Sequence, residues 1–218
     1  GEGGGGGGGN LIEHKSISNI NGSQYSLYFF KESMSQYTKL LKSPKTELLA
    51  FEESNISSFS DEEGFKNFLG GSITNTRYVV LLLNSERELT GRVIIEINDN
   101  IFEVKRVDLL KKSRDKKLCK QMLSFALEKI KDIGFMHGFI HNASESKINA
   151  FFCYLNAGKE NGFKVKYKIL TEGTAPYYNM IFSKLLNTNN TNAINKTLTK
   201  NHHSTLLLYS LDDNFNFI

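Results

Sequence analysis

The chemistry that this sequence suggests first is the binding of a phosphorylated ligand. A basic cluster, KKSRDKKLCK, occupies residues 111–120, between an apolar run and a stretch of helical periodicity. The backbone N–H groups and the dipole at a helix N-terminus favour negative charge, whereas several cations placed there destabilise the helix unless an anion compensates them. We therefore interpret the cluster as an anion-binding turn; the alternative is a solvated basic helix start.

The elements around this cluster predict an α+β domain with a mixed, mostly antiparallel sheet. Short turns separate the apolar runs 77–83, 89–97 and 101–110, which indicates an antiparallel meander that leads into the cluster. An apolar stripe at helical spacing then runs from Leu118 to Ile133, and Gly134 ends it. The remaining predicted strands are 25–30, 135–141, 163–170 and 178–186, and the remaining predicted helices are 34–41, 60–69 and 148–156.

Length and composition indicate one domain with low-complexity ends. The chain has 218 residues, of which 39% are hydrophobic, and a formal net charge of +4. We predict a flexible glycine-rich segment over 1–22, the domain over 23–186, an Asn/Thr-rich linker over 187–203 and an apolar tail over 204–218. The tail either adds an edge strand or belongs to an interface.

Several classes of protein are disfavoured. The two cysteines, Cys119 and Cys153, are too few for a disulfide framework and lie outside metal-binding spacings, so we expect no metal and a reducing, cytoplasmic location. We interpret both as small apolar packing residues rather than nucleophiles. No apolar run reaches the length of about 18 residues that spans a membrane, so we expect no membrane-spanning segment. The mild net charge argues against nucleic acid as a partner.

The order of these elements, with a basic turn directly after a central strand, resembles the GNAT superfamily of acyl-coenzyme A-dependent N-acyltransferases over residues 25–186. The pyrophosphate loop of that family reads R/Q-x-x-G-x-G/A, and the matching stretch is RDKKLC, from Arg114 to Cys119. Lys117 and Cys119 stand at the two glycine positions. A second match is Ala150 followed by Tyr154 (AFFCY), and then either Gly158 or the step Gly162-Phe163.

The resemblance implies that acetyl-CoA is the acyl donor. The basic turn would hold the coenzyme's pyrophosphate, and main-chain N–H groups of the preceding strand would hold the thioester carbonyl. The residues assigned in this way to the coenzyme are Val107, Leu109, Leu110, Arg114, Asp115, Lys116, Lys117, Leu118, Cys119 and Lys120.

The resemblance also implies a general base and a general acid. Some members of the family carry a catalytic glutamate on this strand, which makes Glu103, eleven residues before Arg114, the expected base. Period-two alternation would place Glu103 on one face with Val107, and Asp108 on the other. The alternative bases are Asp108, Glu96 and His141, and the structural alternative for Glu103 is a surface ion pair with Arg92 or Lys105.

Tyr154 is the expected acid that protonates the departing thiolate, as the corresponding tyrosine commonly does in the family. The alternative for Tyr154 is core packing among the neighbouring phenylalanines. We therefore expect an N-acetyltransferase that passes acetyl from acetyl-CoA directly to a primary amine of a small molecule, an amino sugar or a peptide. Acidic residues would attract a cationic acceptor, namely Glu52, Glu53, Asp61, Glu62 and Glu63.

Two other functions compete with this interpretation. The replaced glycines at Lys117 and Cys119 favour a catalytically weak module that binds coenzyme A or a protein partner. A nucleic-acid-binding domain that uses KKSRDKK is the third possibility, although exposed aromatic residues do not alternate with these cations. The sequence leaves a homodimer open.

Overall fold

One eight-stranded sheet runs through the part of the chain that the structure describes. This computed structural model describes residues 11–49, 76–114, 116–142, 148–171 and 202–212. The strands are β1 (Glu13–Ser18), β2 (Gln24–Lys31), β3 (Arg77–Asn84), β4 (Leu89–Asn98), β5 (Ile101–Leu109), β6 (His137–Asn142), β7 (Lys164–Thr171) and β8 (His202–Ser210). The α-helices are α1 (Met34–Leu40), α2 (Pro44–Leu49), α3 (Lys116–Ile133) and α4 (Ile148–Glu160), and a 3-10 turn covers Lys111–Ser113.

The strands lie in the order β1-β2-β3-β4-β5-β6-β8-β7. Every neighbouring pair is antiparallel except β5 and β6, which are parallel. The prediction of an α+β fold with a mixed, mostly antiparallel sheet is therefore confirmed.

The meander β3-β4-β5 forms because its two turns are encoded locally. The side-chain oxygen Oδ1 of Asn84 accepts hydrogen bonds from the N–H groups of Glu86 (3.0 Å) and Glu88 (2.9 Å), which closes the first turn. Asp99 forms the second turn with a positive φ of 56°, a conformation that aspartate tolerates. The meander places β5 in the interior of the sheet, and the basic turn follows this strand.

Two hydrophobic clusters cover the two faces of the sheet. On the first face, the apolar stripe of α3 packs against the sheet together with α4, as predicted. Ile133 is the exception in that stripe, because it is 47% exposed at the helix end, next to Gly134. The second face carries α1, and its cluster contains Phe30, Tyr37, Leu40, Leu48, Val79 and Leu81.

The structure differs from the sequence prediction at both ends of the sheet. β1 lies within residues 1–22, which were predicted to be flexible, so that prediction is wrong for this strand. Its sequence EHKSIS lacks alternation, and four of its six residues are exposed. It is held to α3 by the ion pair between Lys129 and Glu13, at 2.6 Å. β8 was predicted to be at most an edge strand, yet it lies between β6 and β7, and its residues Leu206 to Tyr209 are fully buried.

Several predictions fall outside the described residues and stay predictions. They are the helix over 60–69, the strand over 178–186, residues 1–10 of the predicted flexible segment, most of the Asn/Thr-rich linker and the acidic residues between 52 and 63. Within the described ranges, no helix is both long and apolar enough to cross a membrane. The same ranges contain no group of three or more His, Cys, Asp or Glu side chains that could hold a metal ion.

Candidate coenzyme and acyl-transfer site

The central feature of the site is a divergence between β5 and β6. These parallel strands pair only from Ile101–His137 to Val104–Ile140. β5 continues to Leu109 along β4, and β6 continues to Asn142 along β8. No strand of the described part of the chain pairs with residues 105–109 on the side that β6 has left. Among the described residues, the second half of β5 therefore has no partner strand on this side, and we call the space between the diverging strands the cleft.

A β-bulge lies where the two strands diverge. Ile94 of β4 faces Arg106 and Ile95 faces Val104, so Lys105 is an extra residue in β5. A bulge of one residue reverses the alternation that follows it. As a result Val104 and Val107 both contribute to the cluster under α3 and α4.

The bulge overturns the predicted faces of β5. Glu103 was expected to share a face with Val107, opposite Asp108. Because Lys105 is inserted between them, Glu103 and Asp108 instead share the face that carries α1, and Val107 lies on the other face. The candidate base is therefore on the face opposite α3, one residue before the strands diverge.

The main-chain donors of β5 alternate between β4 and the cleft. The N–H of Leu110 donates to the carbonyl of Thr90 at 2.9 Å, so these two residues form a hydrogen-bonded pair. In an antiparallel ladder every second residue points its N–H towards the partner strand. Val107 and Leu109 therefore point their N–H groups away from β4, into the cleft. The N–H of Leu110 is hydrogen-bonded to Thr90 within the sheet, so it does not donate to a ligand in the cleft.

The basic turn reaches back over this cleft. The Nε of Arg114 donates to the carbonyl oxygen of Leu109 at 3.2 Å. Lys111, Lys112 and Lys117 are exposed around the start of α3, and the first turn of that helix contains no acidic residue. Asp115 and the side chain of Lys116 lie outside the described residues.

The residues at the two glycine positions of the loop motif point in different directions. Lys117 is exposed, whereas Cys119 turns its side chain inwards and brings its Sγ to 2.7 Å from the Sγ of Cys153 on α4. Leu118 is fully buried in the core under the sheet. Lys120 forms an ion pair with Glu160 at 2.8 Å. At the two glycine positions, therefore, one side chain lies at the surface and the other contacts α4.

Glu103 is buried, and an ion pair engages it. Only 6% of the residue is exposed, and its Oε1 lies 3.3 Å from the Nζ of Lys105, the residue of the bulge. The ion pair with Lys105 was one of the predicted alternatives, but Glu103 is not a surface residue. Its cross-strand neighbour is Glu96 on β4.

The other candidate bases lie in different environments. Asp108 accepts hydrogen bonds from the Nε atoms of Arg92 (2.9 Å) and Arg106 (3.0 Å), so two guanidinium groups occupy it. His141 lies on β6 just beyond the divergence, and burial lowers its pKa, so its imidazole is neutral near pH 7.

Tyr154 is buried on α4 and stays protonated. Burial raises the pKa of its hydroxyl, and negative charge at Cys119, Cys153 and Asp108 would raise it further. Its main-chain carbonyl accepts a hydrogen bond from the hydroxyl of Tyr209 at 2.8 Å, which joins α4 to β8. The tyrosine therefore packs in the core, and its hydroxyl group is protonated. It lies next to Cys153 on the same helix.

Sequence reasoning missed one titratable residue, Glu32. It follows β2, and burial raises its pKa to about 7 even though the guanidinium of Arg77 lowers it. Its carboxylate accepts the hydroxyl of Tyr37 at 2.6 Å and lies 3.1 Å from Arg77. Arg77 pairs across the strands with Glu96, so Glu32 begins a row of ionisable residues that ends at Glu103. No local pattern singles out Glu32.

The described fold superposes on solved acetyltransferases. One is an aminoglycoside 6'-acetyltransferase type Ii, which matches with a TM-score of 0.51 at 8% identity, over 86% of this chain and 98% of that one.

The chain has the GNAT acetyltransferase fold.

Two further GNAT-like structures match with lower scores. An acetyltransferase of Elizabethkingia anophelis with acetyl-CoA bound has a TM-score of 0.46 at 13% identity, over 85% of this chain and 97% of that one. An acetyltransferase of Bacillus subtilis in complex with CoA has a TM-score of 0.44 at 15% identity, over 92% and 98%. No protein-family model and no curated protein sequence matches the chain.

The GNAT fold accounts for the cleft. The family separates the strand before its pyrophosphate loop from the next strand, and here β5 separates from β6 after Val104. The predicted loop begins at Arg114, after the 3-10 turn that follows β5, and continues into the first turn of α3. The sequence resemblance predicted a loop at this position but could not locate the separation of the strands.

Proposed function

We propose that this protein is an N-acetyltransferase that passes acetyl from acetyl-CoA directly to a primary amine. The observation that carries the proposal is the end of β5–β6 pairing at Val104 and Ile140, beside a basic helix start. In a GNAT fold this combination supplies a cleft with main-chain donors on one wall and cations at its mouth.

The residues present fit the coenzyme. The N–H groups of Val107 and Leu109 face the cleft and would hold the amide groups or the thioester carbonyl of a bound acetyl-CoA. Arg114, Lys117 and the N-terminus of α3 would neutralise its pyrophosphate. The inward turn of Cys119 supports this role, because it leaves the backbone at the second glycine position open to the ligand.

Bound acetyl-CoA would supply an activated acetyl group as a thioester. Amine acceptors are protonated near pH 7, so the chain must remove a proton before nitrogen can attack the carbonyl carbon. We assign this step to Glu103, because its carboxyl group is buried and lies one residue before the strands diverge. His141, on the other wall of the divergence, is the second candidate.

Tyr154 would return a proton when the carbon–sulfur bond breaks. A tyrosine hydroxyl carries its proton at neutral pH, so a proton is available for the thiolate. Burial raises the pKa of the Tyr154 hydroxyl, which makes the transfer of that proton less favourable than from an exposed tyrosine. The hydrogen bond from Tyr209 to its carbonyl fixes the turn of α4 that carries it. The acceptor is an amine, in keeping with the aminoglycoside acetyltransferase whose fold this chain shares.

A coenzyme-binding module without catalysis is the second candidate function. The ion pair between Glu103 and Lys105, at 3.3 Å, favours it, because an ammonium group occupies the carboxylate that the base role requires. Such a module would keep the cleft and the basic turn but would not remove a proton from an acceptor.

Binding and turnover separate the two candidates. Calorimetric titration with acetyl-CoA should give micromolar-range binding, and no binding by the unaltered protein would exclude both. Release of CoA thiol should then be measured with a panel containing a polyamine, an aminoglycoside and a lysine peptide. Acceleration by at least one amine supports the transferase, whereas binding without acceleration by any amine supports the module.

A further inference from the structure

The two cysteines of the chain lie in contact across the interface of α3 and α4. The Sγ atoms of Cys119 and Cys153 are 2.7 Å apart, although 34 residues separate them in the sequence, and both are free thiols. A disulfide has an S–S distance of about 2.05 Å. Bond formation therefore requires the two sulfurs to approach by less than an ångström.

Other contacts hold the two helices together independently of the sulfurs. Lys120 of α3 forms an ion pair with Glu160 of α4 at 2.8 Å. The side-chain amide of Asn161, which follows α4, donates to the main-chain carbonyl of Ser124 at 3.1 Å and to its hydroxyl at 2.9 Å. The thiols are therefore kept next to each other in the reduced protein.

The two thiols are not equivalent. Cys119 is partly exposed and lies in the first turn of α3, among lysines. Cys153 is 8% exposed, and its hydrogen bond with Cys119 and its burial raise its pKa. Thiolates react with disulfides, and a helix N-terminus stabilises a thiolate. A reagent in solution therefore reacts first with Cys119, because Cys153 is buried.

We propose that Cys119 and Cys153 form a reversible redox site that a small disulfide of the glutathione class oxidises to an internal disulfide. The thiolate of Cys119 attacks the small disulfide, so that a mixed disulfide forms on Cys119 and one small thiolate leaves. The sulfur of Cys153 then attacks Cys119, the mixed disulfide breaks, and the second small thiolate leaves. The two protein protons end on the two small thiols, and two electrons pass to the small disulfide.

Oxidation would tie the start of α3 to the middle of α4. Cys119 lies in the loop motif after β5, and Cys153 is next to Tyr154, so the bond would join the two segments of the candidate site on this face of the sheet. The redox site does not depend on the proposed acetyl transfer, and its test uses no acetyl-CoA.

The test is a redox titration of the full-length protein with glutathione and glutathione disulfide. Thiols are counted after acid quenching and unfolding, and the intact mass is measured. Because the chain has only two cysteines, the expected result is loss of both thiols at one midpoint, with a mass lower by two hydrogens. The melting temperature of the oxidised protein should rise by roughly 5–10 °C, since the bond restricts the unfolded chain.

Two matched variants test the order of reaction. In Cys153→Ser the mixed disulfide on Cys119 has no partner to resolve it, so one glutathione adduct should accumulate. In Cys119→Ser the buried Cys153 should stay a thiol under the same conditions. Two adducts on the unaltered protein, a disulfide-linked dimer on a non-reducing gel, or two thiols that persist in glutathione disulfide alone would each overturn the proposal.

Discussion

The Nε of Arg114 lies 3.2 Å from the carbonyl oxygen of Leu109. This contact joins the basic turn to the edge of β5 that faces the cleft, because Leu109 points its main-chain groups away from β4. The guanidinium group uses one of its donors on the strand and has further donors that can reach an anion. Arg114 therefore connects the part of the cleft that would hold an acyl chain with the part that would hold phosphate.

Replacing Arg114 with alanine should weaken acetyl-CoA binding by about 10- to 100-fold. A charge-assisted hydrogen bond contributes roughly 1.5–3 kcal/mol, which corresponds to that range in the dissociation constant. Calorimetry at low and high salt should show a smaller salt dependence for the variant, because one cation no longer contacts the ligand. Lys39→Ala is the control, since Lys39 is exposed on α1, on the opposite face of the sheet. Equal weakening by both changes would contradict a specific role for Arg114.

Replacing Glu103 with glutamine should lower kcat by about 10²- to 10⁴-fold, the range that a general base contributes. The affinity for acetyl-CoA should stay within about twofold, because Glu103 lies on the face opposite α3 and its charge does not contact the phosphates. Steady-state kinetics with the best amine of the panel and calorimetry with acetyl-CoA provide the two measurements.

Glu96→Gln is the matched control for Glu103→Gln. Glu96 is the residue directly opposite Glu103 on β4, so it offers the same substitution on the same face of the sheet. We expect it to leave kcat within about threefold, below any base contribution. If Glu96→Gln carried the larger loss, Glu96 would be the base and the assignment of Glu103 would be wrong.

The sequence predicts best the elements that short-range patterns encode. The stripe from Leu118 to Ile130 repeats with the helical period, and the runs of the β3-β4-β5 meander are bounded by turn residues, so both could be located to within a few residues. β8 could not be placed, because the same apolar run would suit an edge or an interior position. Its position depends on pairing with β6 and β7, which no local pattern records.

The candidate site could be predicted from the sequence only in part, because short-range patterns encode some of its features and tertiary packing determines the others. The basic turn is contiguous in the sequence, so it could be found. The face of Glu103 depends on one inserted residue, Lys105. The apolar positions change phase there, from Phe102 and Val104 to Val107 and Leu109, and this spacing was the signal that could have indicated the bulge. The contact between Cys119 and Cys153 depends on how α3 and α4 pack, which follows only from the whole core.

Replacing Tyr154 with phenylalanine should lower kcat by at least about tenfold and leave stability nearly unchanged. The hydroxyl would supply the proton to the departing thiolate, whereas the main-chain carbonyl that Tyr209 contacts is present in both proteins. The loss should shrink with an acyl donor whose thiol has a low pKa, because such a leaving group needs less protonation. An equal loss with both donors would contradict the acid role.

Tyr209→Phe is the control for the packing alternative. It removes the buried hydroxyl that donates to the carbonyl of Tyr154 and should lower the free energy of unfolding by about 1 kcal/mol, with little effect on kcat. Denaturant titration of both variants measures the two stabilities. If Tyr154→Phe proved the more destabilising of the two and left kcat unchanged, Tyr154 would be a core residue only.

Replacing Glu32 with glutamine should raise stability above pH 7 and flatten its dependence on pH. The folded-state pKa of about 7 exceeds the usual value of 4.5, chiefly because the carboxyl group is buried. Between these two values the folded protein keeps a proton that the unfolded chain releases, so the free energy of unfolding falls as pH rises and levels off above about 7. The two pKa values differ by about 2.5, which limits this loss of stability to roughly 3 kcal/mol.

Urea titrations at pH 4.5, 6 and 8 should therefore show the unaltered protein losing stability relative to Glu32→Gln across that window. A glutamine variant that is less stable at pH 8 would mean that the ion pair with Arg77, at 3.1 Å, outweighs the burial of the charge.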